Sequence, residues 1–331
     1  VAVQRGCAHF APAGAVVADE EAGQEVLRLL LIAGAQGEAQ EAFLFAPEHG
    51  EDAVGRGLRG GFVPREIVAV LGGVGNLFLA ALNGISPSFD AAVRRMSEVL
   101  AITGRVLPVT TSDVQLQAEF ENGASVIGES RITECKKAQD CRIRRVSLIP
   151  EHPRALPEAL EAIRQAEMIV LGPGSLYTSI IPNLLVDGIV ETIQSSDALK
   201  VYVCNIMTQD GETEGYTVSD HIEALFQHSA PGLFDLCLTN SAPIPKGVAE
   251  RYAQEGAEPI RCDEDACRAL GVEVLRRPLA AVGSGFVRHD SGHLARELIQ
   301  IYAQRFTPAS VAALLMSMGM PLPKKVFGHG W

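Results

Sequence analysis

Residues 170–179 read VLGPGSLYTS, and this stretch decides the fold class. The apolar residues 168–171 predict a buried strand, and a helical pattern follows at residues 181–195. In open α/β sheets, ligands bind in the loops that follow the carboxyl ends of strands. Glycines let the backbone approach a ligand closely, and N–H groups at a helix start suit an anion. A plain strand-to-helix turn also uses Gly and Pro, but the density of hydroxyl side chains favours a ligand loop.

Strands and helices alternate through most of the chain. Apolar strands are expected at residues 168–171, 200–204 and 234–239, each followed by a loop and a helical pattern. This order predicts an α/β fold that is Rossmann-like and doubly wound, with a mostly parallel sheet and helices on both faces. A β-hairpin excursion is expected before it, because residues 114–120 alternate in polarity and Asn122-Gly123 is a type I′ turn signal. Further elements are expected as helices at residues 89–101, 157–166, 248–254 and 291–304 and as strands at residues 272–275 and 282–287.

The composition limits the classes of partner. A net charge of −12 argues against a nucleic-acid surface and against a polybasic membrane anchor. No signal peptide and no apolar run long enough to span a bilayer is visible, so membrane insertion is not expected and the cytoplasm is the simplest compartment. The seven cysteines are interpreted as free thiols, because their spacing does not match a zinc site. We therefore predict no metal site. Whether the protein forms a homo-oligomer stays open.

The composition changes abruptly near residue 73. Residues 1–73 contain 14 Ala and 12 Gly but no Ser, Thr, Asn or Lys, and the only helix-compatible stretch there is residues 20–33. Such a length without hydroxyl helix caps is unusual for a folded segment. The segment is either a divergent extension or the product of a shifted reading frame, and we favour the second. The chain is therefore divided into a poorly ordered segment 1–73, an α/β domain 74–305 and a tail 306–331.

Polar residues after the other strands are candidates for the same site. Asn205 and Thr208 follow the strand at residues 200–204, and Arg288 lies where a later strand meets a helix. An arginine there can grip a phosphate bidentately or form a surface salt bridge. Tyr252 is either a half-buried core residue or a face for base stacking. His221 and Asp220 are better explained by capping of a helix start than by proton transfer.

Several motifs in this order resemble the bacterial gluconeogenesis-factor family, which is CofD-like and of the YvcK type. They are GNL at 75–77, GRVLPVT at 104–110, VIGES at 126–130, LGPGSLYTS at 171–179, VCNIMT at 203–208, GYTVSDH at 215–221 and RHD at 288–290. The resemblance covers residues 74–306 and implies a Rossmann-like fold related to that of 2-phospho-L-lactate transferase. It also implies a cytoplasmic protein that supports growth and cell shape on gluconeogenic carbon sources. Family members begin with a strand and a Gly-Gly-Gly-Thr-Gly loop, which are missing here.

The resemblance further implies a nucleotide-sugar ligand of the UDP-N-acetylglucosamine type, with no established catalytic reaction and no certain cofactor. Catalytic residues are therefore unknown. The candidate ligand-binding residues are Asn76, Gly172, Gly174, Ser175, Tyr177, Thr178, Ser179, Asn205, Thr208, Tyr252 and Arg288. Two alternatives are a 2-phospho-L-lactate transferase-like enzyme, which would need carboxylates around a divalent metal, and an N-terminally damaged remnant that binds nothing.

Overall fold

The computed structural model describes residues 15–16, 29–32, 82, 84–99, 106–139, 141–283 and 286–305. Within them, the main sheet has the spatial order β1-β2-β6-β7-β8-β9. Its strands are β1 (Ala15–Val16), β2 (Leu29–Ile32), β6 (Met168–Leu171), β7 (Leu199–Val203), β8 (Leu236–Asn240) and β9 (Glu273–Arg277). Strands β2 and β6 to β9 pair in parallel, and β1 is antiparallel to β2. The predicted mixed α/β architecture with a mostly parallel sheet is therefore confirmed.

Helices cover both faces of this sheet, because its central strands are apolar on both sides. Alternate residues of β6 enter different cores: Ile169 packs toward one face and Val170 toward the other. The first face is covered by α3 (Pro157–Gln165), α4 (Ile181–Leu184), α5 (Ile189–Ser195), α6 (Val218–His228) and α8 (Glu264–Ala269). The second face is covered by α9 (Ser291–Arg305), through Leu294, Leu298 and Ile301. The described strands β6 to β9 follow one another in a single direction, so the doubly wound reversal stays a prediction.

A smaller antiparallel sheet, with the order β4-β3-β5, packs beside the first core. It contains β3 (Gln115–Phe120), β4 (Ser125–Ile127) and β5 (Ile143–Ile149). The prediction of a hairpin is confirmed, but the prediction that its turn is of type I′ is wrong. Gly123 has φ +83° whereas Asn122 is not in the positive-φ region, and the Gly123 N–H donates to the Phe120 carbonyl. This is a type I turn followed by a left-handed glycine, a geometry that also matches the right-handed twist of the strands.

Other predicted elements were shifted or divided. Residues 29–32 form a strand rather than part of a helix. The helical pattern at residues 181–195 is divided into α4 and α5, because Gly188 at φ +89° interrupts it. A π-helical turn (Leu176–Ile180) precedes α4. The strand expected at residues 282–287 is a hairpin of two strands, β10 (Ala280–Gly283) and β11 (Phe286–His289).

Three helices complete the described part: α1 (Phe89–Val99), α2 (Glu129–Gln139) and α7 (Lys246–Gln254). Sequence periodicity did not indicate α2, which is polar over most of its length. Most of segment 1–73 and the whole tail 306–331 lie outside the described residues. The proposed division of the chain at residues 73 and 305 therefore stays a prediction.

Candidate functional site

Two polar loops meet at the carboxyl edge of the main sheet. The glycine loop (residues 172–179) follows β6, and the adjacent loop (residues 205–215) follows the neighbouring parallel strand β7. The Asn205 side chain donates from Nδ2 to the Gly174 carbonyl at 2.9 Å and accepts from the Gly174 N–H at 3.3 Å. Gln209 Nε2 donates to Ser175 Oγ at 2.8 Å. The structure thus brings Gly174, Ser175 and Asn205 together, as the strand pattern predicts.

Gly172 lets the glycine loop pass close to the end of strand β7. It has φ +81°, a conformation that side chains rarely adopt. A Cβ atom at this position would lie 2.9 Å from the carbonyl oxygen of Val203 in β7 and 3.0 Å from Cδ1 of Ile180. The first of these neighbours is backbone and cannot move aside easily. Only glycine fits this position without strain.

A buried carboxylate lies beneath the glycine loop. Glu212 is only 3 % exposed, and its Oε1 accepts the N–H groups of Tyr177 at 3.0 Å and Thr178 at 2.9 Å. Burial raises the pKa of the Glu212 carboxyl to about 7, and the hydrogen bonds from Thr178 and Tyr177 only partly oppose this rise. Two N–H groups of the loop are therefore occupied by the chain itself. Sequence reasoning missed Glu212, because a glutamate in a polar loop carries no signal of burial.

Some candidate side chains of the glycine loop point into the protein. The hydroxyl of Tyr177 lies 2.9 Å from that of Tyr216, and its ring contacts His228 edge to face. Tyr177 and Ser179 are both buried, and burial raises the pKa of the Tyr177 phenol. Thr178 is half-buried. The packing of these side chains anchors the loop, and the loop backbone together with Ser175 is left nearer the surface.

Thr208 has a structural role in the adjacent loop. Its N–H donates to the Glu258 carbonyl at 2.7 Å, and its Oγ1 accepts the Glu258 N–H at 2.8 Å. The side chain is buried. These bonds fix the adjacent loop to the segment that follows α7.

Tyr252 connects the adjacent loop to the β10–β11 hairpin. Its hydroxyl accepts the Val287 N–H at 3.0 Å, and its ring packs with Ile206, Met207 and Val287. Tyr252 is therefore brought next to the residues between Asn205 and Thr208. The ring of Tyr252 is half-buried in this small core, as one of the two interpretations of the sequence expected. Its hydroxyl binds the backbone of β11.

Arg288 lies on the outer face of the same hairpin. Val287 is buried against the adjacent loop, and His289 Nε2 lies 3.3 Å from the Cys204 carbonyl. Because alternate strand residues face opposite sides, Arg288 faces the side of Phe286. The Arg288 guanidinium is 6.0 Å from the centroid of the Phe286 ring, and that of Arg251 is 5.2 Å from it. Asn76 lies outside the described residues.

The interpretation of Asp220 and His221 as helix-start residues agrees with the structure. Thr217 and Asp220 form a reciprocal capping box at the start of α6. His221 Nδ1 lies 2.7 Å from the Thr217 carbonyl oxygen, and burial lowers the pKa of its imidazole. A neutral, buried histidine bound to its own helix is not placed to transfer protons to a ligand.

The described residues contain neither a cluster of three metal-binding side chains nor a helix long and apolar enough to cross a membrane. The six cysteines within the described ranges are free thiols. Backbone and amide groups form the hydrogen bonds described at this edge, and the nearby hairpin carries Phe286 and Arg288.

Comparison with known proteins identifies the family. The family model described as 2-phospho-L-lactate transferase CofD matches residues 71–280. The gluconeogenesis factor of Bacillus subtilis is 45 % identical over 228 residues, which cover 69 % of this chain and 71 % of that protein. This chain belongs to the CofD-like gluconeogenesis factor family. The gluconeogenesis factor of Halalkalibacterium halodurans is 43 % identical over 227 residues, which cover 69 % of each protein. A relative from Clostridium acetobutylicum is longer, and this chain spans 50 % of it.

Solved structures support the family fold. A crystal structure of a UPF0052 family protein from Bacillus halodurans matches with a TM-score of 0.64 at 43 % identity. That match covers 68 % of this chain and 71 % of the other. A second crystal structure of a protein from the same organism matches with a TM-score of 0.65 at 38 % identity, covering 81 % and 80 % of the two chains.

Replacing Gly172 by alanine tests the close approach of the two loops. We expect Gly172→Ala to lower the free energy of unfolding by about 1–3 kcal/mol, because a Cβ at positive φ meets the Val203 carbonyl. Gly247 in α7 is the control, since nothing lies within 4 Å of a Cβ there. Gly247→Ala should be neutral or slightly stabilising. Urea denaturation followed by circular dichroism measures both changes, and equal stability of the two variants would contradict the packing described.

The buried Glu212 carboxyl should make stability depend on pH. Because its pKa is raised in the folded protein, the folded state holds this proton more tightly than the unfolded chain does. Stability is therefore lost as pH rises from the ordinary range near 4.5 through about 7. Relative to Glu212→Gln, which does not ionise, the parent should lose roughly 3 kcal/mol between pH 5 and pH 8.

The measurement is urea denaturation of both proteins at several pH values. Glu223→Gln serves as the control, because Glu223 is an exposed carboxylate on α6. Its pH dependence should follow that of the parent. Parallel curves for the parent and Glu212→Gln would show that Glu212 does not titrate in this range.

Proposed function

We propose that this chain binds a nucleotide sugar of the UDP-N-acetylglucosamine type and regulates growth and cell morphogenesis on gluconeogenic carbon sources. The observation that carries the proposal is the direct contact of the glycine loop with the adjacent loop at one edge of the parallel sheet. Ligands of open α/β sheets bind at that edge. Membership of the gluconeogenesis factor family supports the physiological role. Under this proposal the protein acts in the cytoplasm, as a binding factor rather than an enzyme.

The β10–β11 hairpin and the neighbouring helix α7 supply the positive charge that an anionic ligand needs. The chain carries a net charge of −12, so a diphosphate requires local cations. Arg251 and Arg288 both lie over the ring of Phe286, which is 51 % exposed. A guanidinium can bind phosphate oxygens bidentately, and an exposed aromatic ring can stack on a base or a sugar. The arrangement suits a ligand with a diphosphate between two rings.

Tyr252 contributes to this ligand site through the hairpin. Its hydroxyl holds the backbone of Val287, next to Arg288, while its ring packs on Ile206 and Met207. Loss of the ring should therefore displace Arg288 as well as remove a face for stacking. Loss of the hydroxyl alone should have the smaller effect.

A transferase is the second candidate, because the matching family model is described as 2-phospho-L-lactate transferase. That reaction would use a nucleotide diphosphate with a divalent cation, whereas the regulator would bind a nucleotide sugar alone. A remnant that binds neither is the third alternative. Thermal shift assays with UDP-N-acetylglucosamine, with GDP plus Mg²⁺ and with each component alone separate the three. Stabilisation by GDP only when Mg²⁺ is present would favour the transferase.

Substitutions of Arg288 on the hairpin and of Tyr252 on α7 test the ligand site. We expect Arg288→Glu to weaken binding of UDP-N-acetylglucosamine about ten- to a hundredfold, since a charged hydrogen bond contributes about 1.5–3 kcal/mol. Tyr252→Ala should weaken binding to a similar degree, and Tyr252→Phe should weaken it less. Isothermal titration calorimetry measures the affinities.

The matched control is Arg164→Glu, because Arg164 is an exposed arginine on α3 that pairs with Glu161. This variant should bind as the parent does. Each protein is first checked for unchanged melting without ligand. If Arg288→Glu and Tyr252→Ala both bind as tightly as the parent, the ligand lies elsewhere on the molecule.

A further inference from the structure

Glu212 occupies two backbone N–H groups of the glycine loop. Its carboxylate accepts two successive backbone N–H groups, those of Tyr177 and Thr178, at 3.0 and 2.9 Å. Successive N–H groups converging on one oxygen are a common way in which backbone binds an anion. Here the anion belongs to the chain and is buried with them.

The adjacent loop holds the glycine loop along its length. Asn205 binds the backbone of Gly174 through both the oxygen and the nitrogen of its side-chain amide, and Gln209 binds Ser175. Glu212 then binds the next turn, where the backbone is an irregular π-helical turn rather than an α-helix. Such a turn gains little from its own hydrogen bonds, so its shape depends on contacts from outside.

We propose that Glu212 is a positioning residue that holds the glycine loop in its ligand-binding shape and weakens the binding of anionic ligands when it is ionised. The first part follows from the hydrogen bonds to Tyr177 and Thr178. The second part rests on the proposed function, because it requires that a ligand phosphate binds at this edge. Protonated Glu212 still accepts the two N–H groups through its carbonyl oxygen, but it no longer repels the ligand.

The groups that face Glu212 do not neutralise its charge. The Glu129 carboxyl of α2 acts on it with like charge, and the phenols of Tyr177 and Tyr202 are neutral near pH 7. The nearby lysines of α2 are engaged by other carboxylates, Lys136 by Glu214 and Lys137 by Asp210. Among the described residues, no lysine or arginine forms an ion pair with Glu212. The pKa of about 7 places its ionisation in the physiological range.

Hydrogen exchange tests the positioning role without any ligand. In Glu212→Ala, the amides of Tyr177 and Thr178 should exchange at least about tenfold faster than in the parent. In Glu212→Gln, whose amide oxygen can accept both N–H groups, they should exchange within about threefold of the parent rate. Amides of β7 serve as the internal reference for global stability. Unchanged exchange at Tyr177 and Thr178 in Glu212→Ala would overturn the positioning role.

The affinity for UDP-N-acetylglucosamine, measured between pH 6 and pH 8, tests whether the negative charge of Glu212 weakens ligand binding. The diphosphate of this ligand does not titrate in that range. Affinity for the parent should fall about three- to tenfold as Glu212 ionises, while affinity for Glu212→Gln should stay level. Glu223→Gln, with an exposed carboxylate changed in the same way, should follow the parent. An equal pH dependence in the parent and Glu212→Gln would overturn the charge effect.

The two experiments also separate this proposal from the function on which it rests. If the parent binds no ligand at any pH, the proposed function fails and the exchange rates alone decide the role of Glu212. If the parent binds but the Tyr177 and Thr178 amides exchange no faster in Glu212→Ala, the proposed function stands and the positioning role of Glu212 is refuted. Should Glu212→Ala not fold, the pH profile of Glu212→Gln still decides whether the charge of Glu212 weakens ligand binding.

Discussion

The parallel pairing of β6 with β7 is the constraint on which the rest of this edge depends. Because the two strands run in the same direction, the loops that follow them leave the sheet at the same end. Gly172 then lets the first loop pass close to the carbonyl of Val203 at the end of β7. The side chains of Asn205 and Gln209 then join the two loops by hydrogen bonds.

Polar groups buried beneath the edge give it a single shape. Glu212, Tyr177 and Tyr216 are all shielded from water, and each finds a partner in the loops or in α6. Unpaired, these groups would cost several kcal/mol in an apolar environment, so alternatives in which they separate are disfavoured. Burial raises the pKa of all three groups, and for the Glu212 carboxyl it favours the neutral form up to about pH 7. The edge is therefore ordered by hydrogen bonding, on a sheet that is ordered by apolar packing.

Charge at this edge is distributed unevenly. The adjacent loop carries carboxylates that are buried or paired with lysines of α2, whereas Arg288 of the hairpin and Arg251 of α7 lie around the ring of Phe286. A strongly acidic protein can in this way present a local cationic surface. Tyr252 connects the two regions, since it packs on the adjacent loop and binds the backbone of the hairpin.

The sequence by itself determined the elements with a strong local signal. The apolar run at residues 168–171, the hairpin around Asn122 and Gly123, and the capped helix start near Asp220 all depend on neighbours in the chain, so they could be predicted. The family could also be recognised, because its motifs are long. By contrast, the type of the hairpin turn, the break at Gly188 and the division of residues 280–289 into two strands depend on packing.

Only the tertiary structure decided which polar side chains face the solvent at the candidate site. Tyr177 and Thr208 are candidate ligand residues in the sequence, and the structure adds contacts with partners distant in the chain, Tyr216 and Glu258. Glu212 is the opposite case. In the sequence it is one of several acidic residues in a loop, and only the structure shows that it is buried and bonded to the glycine loop. Its burial and its bonds to Tyr177 and Thr178 arise from residues 34 and 35 positions away, and periodicity and motifs do not report contacts of that range.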